Sequence, residues 1–192
     1  HNLKVKQSAN QKASNRETNY ADAYNNMGIA LKTQGKSDKA LAAFEKAISI
    51  EPDYAEAYNN MGILLQEQGK LGEAIEVYTK AISIKTDSAE PYLNMGNALQ
   101  ERGELEEAIQ AYKKTLSIKP DFVEAYYNMG NALVDQEKQF EAVEAYNKAL
   151  DLKPDYAEAY SNVGIALKGV IFKKPNRGLQ KRIISILDKE RY

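Results

Sequence analysis

A period of 34 residues dominates this sequence. Tyr24, Tyr58, Tyr92, Tyr126 and Tyr160 recur at that spacing, as do Gly28, Gly62, Gly96, Gly130 and Gly164, and Leu31, Leu65, Leu99, Leu133 and Leu167. Ala40, Ala74, Ala108 and Ala142 form a fourth column, and Phe44, Tyr78, Tyr112 and Tyr146 an aromatic fifth. Columns that share one period mean one supersecondary unit stacked on copies of itself, each burying its apolar face against its neighbours.

Each unit reads as two helices. Tyr24, Met27, Gly28 and Leu31 fall at i, i+3, i+4, i+7, one stripe of a helix. Gly35 supplies a left-handed stop. A second stripe follows in Ala40, Leu41, Phe44, Ala47 and Ile48, and Pro52 ends it. Gly28 and Ala40 are small residues on faces of large ones, which predicts close approach of the two helices there. Between units, Asp53, Asp87, Asp121 and Asp155 each stand three residues before Glu56, Glu90, Glu124 and Glu158. That spacing predicts capping boxes with the Asp as N-cap; Asn19 and Asp22 form a weaker version.

These columns resemble those of tetratricopeptide repeat (TPR) proteins. The likeness covers four full repeats, 21–54, 55–88, 89–122 and 123–156, and the first helix of a fifth, 157–168. Thr86 stands where the family has Pro, Thr115 where it has Ala, and Glu137 where it has the turn Gly. The resemblance implies an all-α fold, a right-handed superhelix of antiparallel helix pairs. Residues 1–20 are polar and read as a flexible segment. Residues 169–192 read as a basic linker followed by an amphipathic helix (Leu179, Ile183, Ile184, Ile186, Leu187) that covers the last repeat.

Composition narrows the chemistry. Among 192 residues there is no Cys, and the only His is His1. Catalytic sets built on Cys or His and a zinc site are therefore not expected, and neither a metal nor a cofactor is implied. The net charge of −1 conceals +3 over residues 1–20, +6 over 168–192 and −10 between them. An acidic body repels phosphates, so nucleic acid is not an expected partner. No apolar run reaches the roughly 18 residues of a membrane span, and a membrane partner is not expected either. The basic cluster Lys168, Lys173, Lys174, Arg177, Lys181 and Arg182 reads as a solvated linker face, with anion contact as the alternative. Gly35-Lys36-Ser37 lacks the earlier Gly and the preceding strand of a phosphate-binding loop. Without a leading apolar segment the expected compartment is cytoplasmic, although the abrupt ends read as those of an excised piece from which a targeting segment could have been removed.

A repeat chain of this kind works through its surface. At about 100° per residue, the side of the first helix opposite the Tyr24 stripe carries Asp22, Asn26, Ile29 and Thr33. In the resembled family first helices line the concave side, so this set is expected to face a groove. Asn26, Asn60, Asn94, Asn128 and Asn162 form an unbroken column there. A short amide that both donates and accepts can pair with a peptide backbone without reading its side chains. The column resembles the asparagine ladder in the TPR superhelix of O-linked N-acetylglucosamine transferases. The alternative is repeat consensus, with each Asn bonding locally.

Glu67, Glu101 and Asp135 add negative charge beyond the Asn column, and Lys32 and Arg102 are the basic residues of these helices in the full repeats. The column of Asp22, Glu56, Glu90, Glu124 and Glu158 reads first as capping, without losing its charge. An acidic groove favours a neutral or basic partner. It also argues against the carboxylate-clamp type of TPR, which needs Lys and Arg on this face. In repeats three and four, Leu93 and Tyr127 replace Asn25 and Asn59, Asn97 and Asn131 replace Ile29 and Ile63, and Val134 replaces Gln66. This mixture reads either as a side-chain pocket or as drift between repeats.

The expected function is that of a non-catalytic scaffold holding an extended peptide or protein segment. Its rivals are the substrate-recruiting arm of a larger transferase-type enzyme and a self-assembling scaffold.

Overall fold

The structure, a computed structural model, describes residues 19–168. The expectations for residues 1–18 and 169–192, including the basic cluster beyond Lys168 and the covering helix, lie outside the described residues. Residues 19 and 20, assigned above to the leading segment, are already helical.

The described residues form helices joined by short turns, with no strand among them. Helix α1 occupies residues 19–33. It is followed by α2 (Ser37–Ile50), α3 (Ala55–Glu67), α4 (Leu71–Ile84), α5 (Ala89–Glu101), α6 (Leu105–Ile118), α7 (Val123–Asp135), α8 (Gln139–Leu152) and α9 (Ala157–Lys168). The chain divides after Ile118 into two compact units. In the first, α2 packs on α3, α3 on α4, α4 on α5 and α5 on α6, and α3 also meets α5. In the second, α7 packs on α8 and α8 on α9.

The Gly column is a row of notches for the aromatic column. A Cβ built on Gly28 would stand 2.5 Å from Phe44 Cε1, one on Gly96 2.6 Å from Tyr112 Cε1, and one on Gly130 2.5 Å from Tyr146 Cε1; Gly62 meets Tyr78 in the same way. Real carbon atoms do not approach so closely, so each ring occupies the space that a side chain at the glycine would need. Phe44, Tyr78, Tyr112 and Tyr146 are buried, as are Ala40, Ala74, Ala108 and Ala142. The next helix closes the layer: Ala98 of α5 joins Leu65, Ala74 and Tyr78 in one cluster.

The turn inside each repeat is a Schellman motif. The Gly35 N–H donates to the Lys32 carbonyl and the Lys36 N–H to the Leu31 carbonyl, both at 2.9 Å. Gly35, Gly69 and Gly103 have φ of 71°, 73° and 84°. In the fourth repeat Glu137 holds the same place at φ 58°, with bonds of 2.8 Å to Val134 and from Lys138 to Leu133. The turn geometry outlasts the loss of its glycine. Thr115 is equally accommodated: its buried hydroxyl donates to the Ala111 carbonyl at 3.1 Å, one helical turn back.

The expected capping boxes do not form. The N-caps of α3, α5 and α7 are Tyr54, Ser88 and Phe122, and none makes a side-chain capping bond. The reason lies in the turn after Pro52. The Tyr54 N–H bonds the Glu51 carbonyl at 3.1 Å, and the Tyr54 carbonyl accepts the first helical bonds, from Ala57 at 3.1 Å and Tyr58 at 3.3 Å. Asp53 is thereby left one residue outside the helix. Tyr156 likewise accepts from Ala159 and Tyr160 at the start of α9.

The first-helix face as a candidate binding surface

Within each unit, members of the Asn column bond to the preceding repeat. Asn60 Nδ2 donates to Asn25 Oδ1 at 3.0 Å, and Asn94 Nδ2 donates to Asn59 Oδ1 at 2.9 Å. In unit two, Asn162 Nδ2 lies 3.1 Å from Tyr127 Oη and 3.0 Å from Asn131 Oδ1. Asn26, at the head of the column, is exposed, and Asn128 is half-buried. The local bonding weighed above is therefore real, but the bonds of Asn60 and Asn94 use one N–H of an amide that has two, and an oxygen with two lone pairs. Asn60 and Asn94 are half-buried rather than sealed, so the remainder of each stays on the first-helix face.

Of the residues one position earlier in the four full repeats, two are buried and two are half-buried. Asn25 is 1% exposed and Leu93 4%. Leu93, expected on the binding face, is thus core: it fills the place that Asn25 fills with a hydrogen bond, and no ligand reaches it. Tyr127 is half-buried and, with Asn128, lines a hollow in unit two. Asn25 also donates to Tyr54 Oη at 3.4 Å, and that hydroxyl donates to the Asp22 carboxylate at 2.6 Å. Burial and the Asp22 bond raise the Tyr54 pKa, so Tyr54 stays a neutral donor.

The other expected amides are held from below by the aromatic column. Tyr112 Oη lies 2.9 Å from both Asn97 Oδ1 and Gln100 Oε1. One hydroxyl proton serves only one of these oxygens, so the other amide must turn its NH₂ toward the phenol. Tyr146 Oη donates to Asn131 Oδ1 at 2.8 Å, the oxygen that Asn162 also approaches. Tyr78 Oη donates to Gln66 Oε1 at 3.0 Å, and Gln66 Nε2 donates to Glu101 at 2.5 Å. Sequence reasoning took these tyrosines for core alone. The signal was present in the repeat register: the hydroxyl occurs where Gln66, Asn97, Gln100 or Asn131 stands above it, and the first repeat, with Ile29 and Lys32 at those places, has Phe44.

The acidic residues are less bare than their count implies. Glu67 pairs with Lys32 at 2.7 Å, both partly exposed. Glu101 accepts from Gln66, and Asp135 is exposed. Arg102 pairs with Glu104 in the turn, Nε to Oε1 at 2.6 Å. Burial pushes the Tyr78 phenol up, with Glu101 and Glu67 adding to it. No three His, Asp or Glu side chains converge as a metal site among the described residues.

Sequence models of the tetratricopeptide repeat match residues 23–87 and 77–110, and a model described as TPR repeat matches 96–137 and 130–169. No curated protein matches the chain. Among solved structures, the MamA protein is 27% identical over 88% of this chain and 89% of its own, with a TM-score of 0.73. PilF of Pseudomonas aeruginosa shares the fold at 24% identity, 79% and 69% coverage and a TM-score of 0.73. The first TPR of Spaghetti (RPAP3), solved with the HSP90 peptide SRMEEVD, shares it at 24% identity over 59% of this chain and 90% of its own, with a TM-score of 0.58. Period, helix pairing, ring-in-notch packing and these matches agree: the chain belongs to the tetratricopeptide repeat proteins, an all-α solenoid family of protein-interaction scaffolds.

Proposed function

We propose that the first-helix face holds an extended peptide or protein segment, neutral or basic, chiefly through its backbone, and that the chain does this without catalysis. The observation that carries the reading is the Asn column. Asn60 and Asn94 are oriented by inter-repeat bonds from one N–H of each amide, so a bound backbone meets groups of these side chains already fixed in place. Pre-orientation lowers the entropy lost on binding. The Spaghetti TPR of the same fold, solved with a bound peptide, is in keeping with a peptide occupant. The acidic peptide SRMEEVD is unsuited to this face, where Glu67, Glu101 and Asp135 stand and Lys32 is already engaged by Glu67.

An array of unrelated extended peptides tests the reading. Binding that tolerates sequence changes but weakens on Asn60→Ala and Asn94→Ala supports it, and binding indifferent to both changes rejects it. A second reading, the recruiting arm of a transferase-type enzyme, rests on the same unbroken column. A third, self-association, rests on Leu152, Tyr160 and Ile165, which are 43%, 43% and 59% exposed. Light scattering over a range of concentrations tests the third reading.

A further inference from the structure

Unit two carries an open hollow of about 330 Å³ along the N-terminal half of α7, flanked by the loop into α9. Val123, Glu124, Tyr127 and Asn128 line it from the helix, and Lys153 and Tyr156 from the loop. The rings of Tyr127 and Tyr156 are 4.8 Å apart and inclined at 37°. Tyr127 is backed in turn by the buried Tyr146 ring at 5.8 Å, so the aromatic wall is supported from the core. The Lys153 ammonium stands 4.8 Å from the centre of the Tyr156 ring. A cation already rests on that ring face, which is where the ring quadrupole attracts one. Glu124 lines the hollow and is exposed, so a carboxylate stands at its edge beside the ring pair.

The matching positions of the other repeats do not hold a pair of tyrosines. The matching pairs are Asn25 with Tyr54, Asn59 with Ser88 and Leu93 with Phe122.

We infer that the hollow is a subsite for an arginine side chain of the bound segment. Its guanidinium replaces the Lys153 ammonium on Tyr156 and pairs with the Glu124 carboxylate. Arginine suits the place because its planar, weakly hydrated group stacks on a ring while its edge hydrogen-bonds a carboxylate. Lys153 is exposed on a flexible stem, so its displacement costs little. The inference rests on the reading that this face holds an extended segment, and it adds a side-chain preference to a backbone-reading surface.

The test uses N-acetyl-arginine N-methylamide, with the citrulline and glutamate analogues as neutral and acidic probes, titrated against protein carrying isotope-labelled tyrosine. Arginine is expected to shift the Tyr127 ring signals at concentrations where citrulline does not. Glu124→Gln is expected to weaken the arginine probe roughly two- to fivefold, and Lys153→Met to tighten it by a similar factor. Tyr156→Ser places at 156 the residue found at 88, so the fold tolerates it; it should abolish the Tyr127 shifts. Citrulline matching arginine, glutamate binding more tightly, or no shift with any probe would overturn the inference. A single capped residue cannot span the Asn column, so the two readings fail separately. Extended peptides indifferent to Asn60→Ala, together with a bound arginine probe, reject only the backbone reading. The reverse pattern rejects only the subsite.

Discussion

Gly96 and Tyr112 fit one another as notch and ring: a methyl group on Gly96 would stand 2.6 Å from Tyr112 Cε1 and 3.1 Å from Cζ. The ring lies there because α5 offers bare backbone, and its hydroxyl reaches Asn97 and Gln100 of the same helix. Core packing and surface chemistry are thereby joined in one residue.

The first prediction follows from that fit. Glycine in mid-helix is about 1 kcal/mol worse than alanine, so Gly96→Ala would stabilise the chain if space allowed. The Tyr112 ring is buried and cannot swing away. Overpacking of this kind costs about 1–3 kcal/mol, which outweighs the helix gain. The denaturant midpoint of Gly96→Ala should fall, while that of the exposed Gln110→Ala should stay near wild type.

Glu137 gives a prediction of opposite sign. Left-handed backbone costs a residue with a side chain about 1–2 kcal/mol, part of which the greater unfolded freedom of glycine takes back. Glu137→Gly should raise the thermal midpoint, with a net gain of about 0.5–1 kcal/mol. Gly69→Ala makes the reverse change at φ 73° with nothing near the new methyl, and should lower it.

Much of this was readable from the sequence, and the exceptions share a physical cause. The period, the helix pairs and the small Gly of each first helix follow from spacing alone, because each is set within one repeat; the expected close approach of Gly28 and Ala40 is met instead by a Phe44 ring against Gly28. The capping boxes failed by one residue, since the turn after Pro52 moves the helix start to Tyr54. Leu93 was placed on the wrong side for a related reason: positions 93 and 94 differ by one step of helix rotation, and only the packing of neighbouring first helices decides which is covered. The bonding of Asn60 to Asn25 depends on the distance between repeats, which no spacing within one repeat encodes.

Alkaline pH should loosen the second unit. Burial pushes the Tyr146 phenol up to about 12, with Tyr127 and Asp135 adding to it and the Asn162 hydrogen bond opposing. An unfolded tyrosine titrates near 10. A folded pKa above the unfolded one gives stability that is complete below about pH 10 and is lost as pH rises through the folded value. Wild type should therefore lose stability between about pH 10 and 12, and Tyr146→Phe, which copies Phe44 of the first repeat, should lose less. Unfolding curves at successive pH values for the two proteins measure the difference; parallel losses would refute it.

The most direct measurement is a titration of one neutral and one basic extended peptide against wild type and the triple variant Asn60→Ala, Asn94→Ala, Asn128→Ala, at low and physiological salt. Each lost hydrogen bond is worth on the order of 0.5–1.5 kcal/mol, so the triple variant should bind both peptides at least tenfold more weakly at either salt. Circular dichroism should show it still folded. Glu67→Gln with Glu101→Gln and Asp135→Asn should weaken only the basic peptide, chiefly at low salt, because a Debye length of about 8 Å screens exposed charges at physiological salt. A folded triple variant that binds both peptides as tightly as wild type would contradict backbone recognition by the Asn column.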